Sequence, residues 1–290
     1  MGRRGACRRS GVRLVAALGV LVGLSAASSA AGQEALLERQ RMTGDWNGVR
    51  PVLSAYGFEP YLIYVGTMWS NLAGGRDTGV RLNGYLDFGL DIDLAKLGVW
   101  NGLGFHADFH WWQGRKPTDA LIGGVSTMAL SAWEAAATLR VFNLYLRQAL
   151  DDDRFVLKLG QLAADTDFMV SRYGGIFLNA AFGDLPSQSL NLDAPVYPLA
   201  GPGVFASARP RPWLAARFGA YSGDPGDDVA GNHGFGWGLG TNAGYTFFSE
   251  IAATAPGRWP AGNLCPGRHL RHWRLRAVRH RRVPPRRAVA

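Results

Sequence analysis

From Tyr61 onward, apolar and polar residues alternate with a period of two. Between Leu82 and Leu94, the residues Leu86, Phe88, Leu90, Ile92 and Leu94 fall on one side. Tyr85, Asp87, Gly89, Asp91 and Asp93 fall on the other. Successive side chains of an extended strand point to opposite faces, so this segment predicts a strand with one greasy and one acidic face. Eight segments read this way: 61–71, 82–94, 103–113, 139–150, 154–163, 203–209, 213–222 and 235–249. In the third, Leu103, Phe105, Ala107, Phe109 and Trp111 oppose Gly104, His106, Asp108 and His110. The fourth sets Phe142, Leu144 and Leu146 against Asn143, Tyr145 and Arg147. In the eighth, Phe235, Trp237, Leu239, Ala243, Tyr245 and Phe247 alternate mostly with glycine or small polar residues. The pattern predicts an all-β, antiparallel fold.

Strand length and connections narrow the class. Several segments exceed the roughly five or six residues ordinary for soluble sheets. About nine to eleven tilted residues cross a bilayer as a strand. The connections alternate: 72–81, 114–138, 164–202 and 223–234 are long, and 95–102, 151–153 and 210–212 are short. Short turns at one end and long loops at the other predict an antiparallel transmembrane β-barrel of the outer-membrane type. In hydrocarbon every backbone donor and acceptor needs a partner within the protein, and only helices and closed barrels supply one. The acidic faces would then line water. Tyr61, Trp69, Trp111, Trp213 and Trp237 near strand ends suit interfacial girdles. The many glycines on the inward faces fill no space, which argues against a small barrel packed solid with side chains.

The ends read differently. Glu34 to Gly57 has helical spacing through Trp46, Val49, Val52, Leu53 and Tyr56, with Thr43 or Asp45 as cap and Gly57 as stop. Residues 1–31 read as a signal peptide: Arg3, Arg4, Arg8, Arg9 and Arg13, then apolar Leu14–Leu24, then small residues to Ala31. The apolar run is too short to span a membrane, which takes roughly 20 residues. The formal charge of +9 belongs to the termini, since 1–33 and 251–290 hold arginines and no acid while the middle is net acidic. The basic balance therefore does not point to nucleic acid. Cys7 and Cys265 both lie outside the middle, so no disulfide or thiolate metal site is available there.

Other motifs carry little chemistry. His106 and His110 share a strand face about 13 Å apart at roughly 3.3 Å per residue, too far to share one metal. Gly236-x-Gly238-x-Gly240 lies inside an alternating segment with no helix after it, which excludes a phosphate loop. Asp151-Asp152-Asp153 reads as a turn. No nucleophile set, metal set or cofactor motif is present, so the expectation is a protein that is not an enzyme.

Three segments resemble the carbohydrate-selective porin family of Gram-negative outer membranes, the OprB family. They are Met42-Thr-Gly-Asp-Trp-Asn-Gly-Val-Arg-Pro51; Gly84 to Trp100; and Gly160-Gln-Leu-Ala-Ala-Asp-Thr-Asp-Phe168 with Tyr173, Phe177-Leu-Asn179 and Phe182-Gly183. Tyr197-Pro-Leu-Ala-Gly-Pro-Gly203 and Tyr221-Ser-Gly-Asp-Pro225 extend the likeness across roughly 42–250. The resemblance implies a sixteen-stranded channel for passive diffusion of small sugars through a constriction. Its partners would be sugars, outer-membrane lipid and further copies in a homo-trimer, with no nucleic acid and no cofactor. A pore favouring sugars needs hydrogen-bonding and aromatic groups at a narrow point. Loop 164–202 is the candidate to fold inward, offering Asp165, Asp167, Arg172, Tyr173, Asn179 and Asp184. On the walls, Arg147, Lys158 and Arg217 are expected to face Asp87, Asp91 and Asp93 across the lumen.

The chain thus divides into a signal peptide (1–31), a helical segment (32–60), a partial barrel of about eight strands (61–250) and an Arg/Pro-rich tail (251–290). The tail is expected to be disordered or an out-of-frame translation. Two rival readings stay open: a secreted soluble β-sheet carbohydrate-binding module, and a nonfunctional porin fragment.

Overall fold

The computed structural model describes residues 41–123, 129–168, 174–180, 192–256 and 270–280. The chain divides into two compact units, 1–52 and 53–290. In the described part of the first, 41–48 is a run of turns, and helix α1 (Val49–Ala55) begins only afterwards. The longer helix expected over 34–57 fails here because Gly44, Trp46, Asn47 and Gly48 all adopt positive φ. Asp45 still anchors the turn, its carboxylate accepting the Asn47 N–H at 3.0 Å. Arg50 lies over the Trp46 ring at 4.2 Å.

The second unit is one antiparallel sheet of nine strands in sequence order. They are β1 (Phe58–Asn71), β2 (Gly79–Asp93), β3 (Leu103–Gly114), β4 (Leu139–Leu150), β5 (Phe155–Leu162), β6 (Gly201–Arg211), β7 (Leu214–Ser222), β8 (Tyr245–Pro256) and β9 (Leu270–His280). Seven strands stand where the alternation places them. The eighth is displaced. Residues 235–244 belong to a loop, and β8 starts at Tyr245. That loop is held by the Ser222 hydroxyl, which donates to the Gly238 carbonyl at 2.6 Å, and by Gly238 N–H on the Asp224 carbonyl. Within the tail, β9 pairs with β8. The first connection, 72–78, is no longer than the next turn, 94–102, because β2 begins at Gly79, ahead of where the alternation starts, and ends at Asp93.

The two faces of the sheet differ as the alternation requires. One is bare and apolar: Leu62, Met68, Leu82, Leu146, Phe155, Leu157, Leu159, Phe218 and Ile251 are all exposed. The other is polar and largely covered by the described parts of the long loops 115–138, 163–200 and 223–244. Its glycines are not empty positions. Tyr61 pairs with Gly89, Tyr145 with Gly160 and Tyr221 with Gly203, so that a tyrosine stands opposite a glycine at each crossing. A side chain at Gly219 would meet Tyr221 Cε2 at 2.5 Å and Phe168 Cε2 at 2.8 Å. Tyr221, Phe168, Phe205, Phe248 and Leu162 form the buried cluster that seats the loop after β5.

One ionic clamp fastens the loops to each other. The Asp228 carboxylate accepts from Lys116 Nζ at 2.6 Å, from Ala136 N–H at 3.0 Å and from Arg140 Nη2 at 3.3 Å. Arg140, 1% exposed, also donates to the Asn232 and Pro198 carbonyls at 2.9 and 2.8 Å. Burial by itself would raise the Asp228 carboxyl, but the Lys116 and Ala136 hydrogen bonds and the two cations outweigh it and hold it below the usual range. A lowered carboxyl stabilises fully above its unfolded value, near about 4, and that stabilisation is lost as pH falls through the lower folded value.

Two outcomes follow. Asp228→Ala should weaken the loop clamp by about 2 kcal/mol. The parent's Ala136 amide should lose hydrogen-exchange protection as pH drops below about 4, whereas the variant's should already be unprotected at neutral pH. Gly219→Val should cost about 1–3 kcal/mol by overpacking against Tyr221 and Phe168, read as a lower denaturation midpoint of the detergent-solubilised chain.

Candidate functional site

The polar face of β2–β8 holds the candidate site. Its layout depends on a β-bulge between β3 and β4, where Ala107 pairs with Leu144 but Phe109 pairs with Val141. A bulge inserts one residue and resets the alternation beyond it. Beyond this one, Arg140 and Phe142 turn to the polar face, while Tyr145 and Arg147 hold the same face on the other side. Phe142 is therefore not on the apolar face, as simple alternation assigns it. It is buried and stacks on His110 with ring centroids 4.1 Å apart. The Asp108 carboxylate holds the bulge, accepting the Asn143 N–H at 2.5 Å and its side-chain amide at 2.9 Å.

Around this point the face is built of rings and carboxylates. His106 lies between two acids, with Nδ1 2.7 Å from Asp91 and Nε2 3.1 Å from Asp108. It stacks on Tyr145 at 4.9 Å. His110 Nε2 is 3.7 Å from Asp87. Toward the long loops, Tyr85, Trp112, Trp133 and Tyr197 close the face, and Trp112 Nε1 donates to the Tyr197 hydroxyl at 2.6 Å. Burial pushes that Tyr197 hydroxyl well above its ordinary range, so it stays a neutral acceptor and donor. Toward the short turns the face opens. A cavity of about 440 Å³ there is lined by Glu59, Asp91, His106, Tyr145 and Arg147.

The sequence-predicted site residues take several distinct positions. Asp87 and Asp91 are on the polar face beside the two histidines. Asp93 instead caps the turn after β2, its carboxylate accepting the Ala95 and Lys96 N–H groups at 3.0 and 3.3 Å. The bases do not pair across to these acids. Arg147 reaches Asp153 at 2.7 Å in the β4–β5 turn. Lys158 holds Asp167 at 2.7 and 3.0 Å, and Arg217 holds Glu250 at 2.8 Å. Acids nevertheless gather on β2 and β3, and bases on β4, β5 and β7.

The described ends of loop 163–200, at 163–168 and 192–200, pack onto this face, and Asp165 and Asp167 fasten them there. Asp165 accepts the Tyr197 N–H at 2.8 Å, tying the two ends of the loop, and Asp167 ties it to the wall through Lys158. Arg172, Tyr173 and Asp184 lie outside the described residues. The girdle assignment needs revision. Trp111 and Trp213 are exposed on the apolar side. Tyr61 instead sits on the polar face near His106, Trp69 donates to Thr67, and Trp237 donates to Gln161 from a loop. Sequence reading missed Arg140, Asp228 and Glu134, and it placed Asp108 on the polar side of its strand without giving it a role. Glu134 is buried and accepts from Thr118 and Ser131, bracing the turn at Thr118–Ile122. Asp228 and Glu134 lie inside loops, where a buried charge gives no periodic signal, and Arg140 on β4 is hidden by the bulge.

Among the described residues no helix is long and apolar enough to cross a membrane. The family model "Carbohydrate-selective porin, OprB family" matches residues 77–268, reaching into the arginine-rich tail. "Porin B" of Pseudomonas aeruginosa is 30% identical over 182 residues, covering 60% of this chain and 39% of that protein. A high-pH structure of Pseudomonas putida OprB superposes with a TM-score of 0.67 at 25% identity, covering 77% of this chain and 54% of that one. The chain thus spans between two fifths and just over half of the length of the relatives it matches. With its sheet order, its inverted faces and this match, the chain belongs to the carbohydrate-selective porin, OprB family.

Proposed function

We propose that the chain forms wall and constriction of an outer-membrane porin through which sugars and other small hydrophilic solutes diffuse passively, without catalysis. One observation supports this above the others: the sheet is inside out. Its bare face is leucine, phenylalanine and isoleucine, and its covered face carries the charges. Water-soluble proteins rarely expose contiguous apolar surface on this scale, and lipid is the solvent that suits it. Strands β1 to β4, at 12 to 15 residues, are long enough to cross a bilayer at a tilt.

Sugar as the solute fits the chemistry of the polar face. The His106–Tyr145 stack offers ring faces for apolar sugar surfaces, and Asp91 and Arg147 on the open cavity beside it offer acceptors and donors for hydroxyls. In this reading Asp87, Asp91, Lys158, Asp167 and Arg217 line the passage, with the acids toward β2 and the bases toward β7. Residues 1–31 direct export and are removed, lipid covers the apolar face, and copies associate as a trimer. The whole channel needs more strands than these, since a sheet with open edges leaves backbone groups unpaired in hydrocarbon.

The rival is a soluble carbohydrate-binding module, and one substitution separates the two. Leu159, 57% exposed at the middle of β5, faces lipid in the porin and water in the module. Leu159→Arg should cost about 2–4 kcal/mol of membrane-inserted stability near the bilayer midplane and reduce assembly into the outer-membrane fraction. An unchanged yield of soluble periplasmic protein would reject the porin. For transport, proteoliposomes carrying the chain restored to a complete barrel should swell in glucose faster than in a charged solute of similar size. Absence of glucose flux would reject the channel reading.

A further inference from the structure

A second cavity, of about 530 Å³, opens at the long-loop end of the polar face. It lies between the β1–β2 connection and the start of the β3–β4 loop. Its wall brings together Arg76, Arg81, Arg115 and Lys116 against only two acids, Asp77 and Asp119. Two of the four cations are neutralised. Arg81 pairs with Asp77 at 2.9 Å, and Lys116 with Asp228 at 2.6 Å. The other two are not. Arg76 donates to the Asp119 backbone carbonyl at 3.3 Å, and exposed Arg115 makes no ion pair among the described residues. Arg81 adds a buried Nε–H that has no acceptor among the described residues.

The frame that carries these groups is fixed. The Arg76 and Asp77 N–H groups both donate to the Leu121 carbonyl, at 2.8 and 3.2 Å. Asn71 donates to the Gly74 and Asp77 carbonyls at 2.8 Å each. The opposite rim is braced by Glu134 on Thr118 and Ser131. Two guanidinium groups are thus carried on a stiff rim. A guanidinium presents its N–H groups as a planar fork that matches a phosphate in geometry and charge, and a neutral sugar gains nothing from the charge.

We propose that this cavity is an anion subsite for small phosphate-bearing solutes, with Arg76 and Arg115 as the recognising groups. A phosphate on a lipid headgroup has the same chemistry, but the cavity opens on the polar face of the sheet, away from the apolar one. The free solute is therefore the assigned source. The subsite widens the expected solutes from neutral sugars to their phosphate esters and gives the mouth of the passage a charge preference.

The test needs no conduction, so it stands or falls apart from the pore reading. The full chain in detergent micelles is titrated by calorimetry with inorganic phosphate, glucose 6-phosphate and glucose at low ionic strength. Phosphate and its ester should bind, and glucose should give no heat at the same concentrations. Arg76→Glu with Arg115→Glu should weaken phosphate binding by on the order of tenfold or more, with an unchanged circular dichroism spectrum. Asp119→Asn, which removes the acid facing the site, should strengthen it, and high salt should weaken it. Equal binding of glucose and glucose 6-phosphate would overturn the proposal. So would an Asp119→Asn variant that binds phosphate no more tightly than the parent. Capture of phosphorylated-lipid micelles without any binding of glucose 6-phosphate would overturn the solute assignment.

Discussion

The structure turns on the contact between the Asp108 carboxylate and Asn143. Where β3 meets β4, one extra residue leaves a backbone N–H without a strand partner. Asp108 supplies the missing acceptor at 2.5 Å and binds the amide of the same residue at 2.9 Å. Asn143 then passes the connection on, its side-chain oxygen accepting the Ala163 N–H at 3.0 Å at the start of the inward loop. One carboxylate therefore fixes the bulge, the face reset of β4 and the anchor of loop 163–200. Without the reset, Arg140 would point to the apolar face, where an unpaired charge is costly. With it, Arg140 reaches Asp228 and three backbone carbonyls and holds the loops over the polar face.

Legibility in the sequence follows the range of the forces involved. Alternation is a local record of which face meets which solvent, so seven strands and the identity of the two faces could be read from it. It fails where a loop imitates it. Phe235, Trp237 and Leu239 separated by glycines look like a strand, but Gly234 and Gly240 take φ of 108° and 98°, which extended L-residues avoid. It also fails across a bulge, since nothing in the residues 103–113 or 139–150 marks the inserted position. Phe142 was misplaced for that reason. Of the candidate site, Asp87, Asp91, Lys158, Asp167 and Arg217 were legible as polar positions on strands or on a loop that must bend inward. Their partners were not. Lys158 finds Asp167, nine residues on, rather than an acid across the sheet, because the loop carries that carboxylate down to the wall.

The glycines show a second limit. Read one strand at a time, a glycine on an inward face is a gap. Read across the register, Gly89, Gly160 and Gly203 are each the partner of a tyrosine. At Gly89 and Gly203 a Cβ would meet the tyrosine ring at 2.7 and 2.5 Å, so the ring covers the bare peptide, as in the rescue of strand glycines by cross-strand aromatics. The polar face is thereby surfaced with aromatic rings between its charges. The proposed sugar passage would draw on that mixture: flat, weakly attractive surface with hydrogen-bonding groups at intervals.

The distribution of cover along the polar face completes the physical picture. At the long-loop end, Tyr85, Trp112, His110 and Arg140 are buried beneath loops, while at the short-turn end Asp91 and Asp93 are exposed. The face is closed at one end and open at the other. Closure comes from loop residues with fixed partners: Asp228 on Arg140, Asp165 on the Tyr197 N–H, Glu134 on Thr118. These ties are charged or charge-assisted, each stronger than a neutral hydrogen bond in a partly dry setting. A loop held over water by greasy contacts alone would leave sticky surface in the passage whenever it moved. In the proposed porin, ionic ties would let the loops narrow the passage while the surfaces they present stay polar, so the same charges that fix a constriction would also keep it wet.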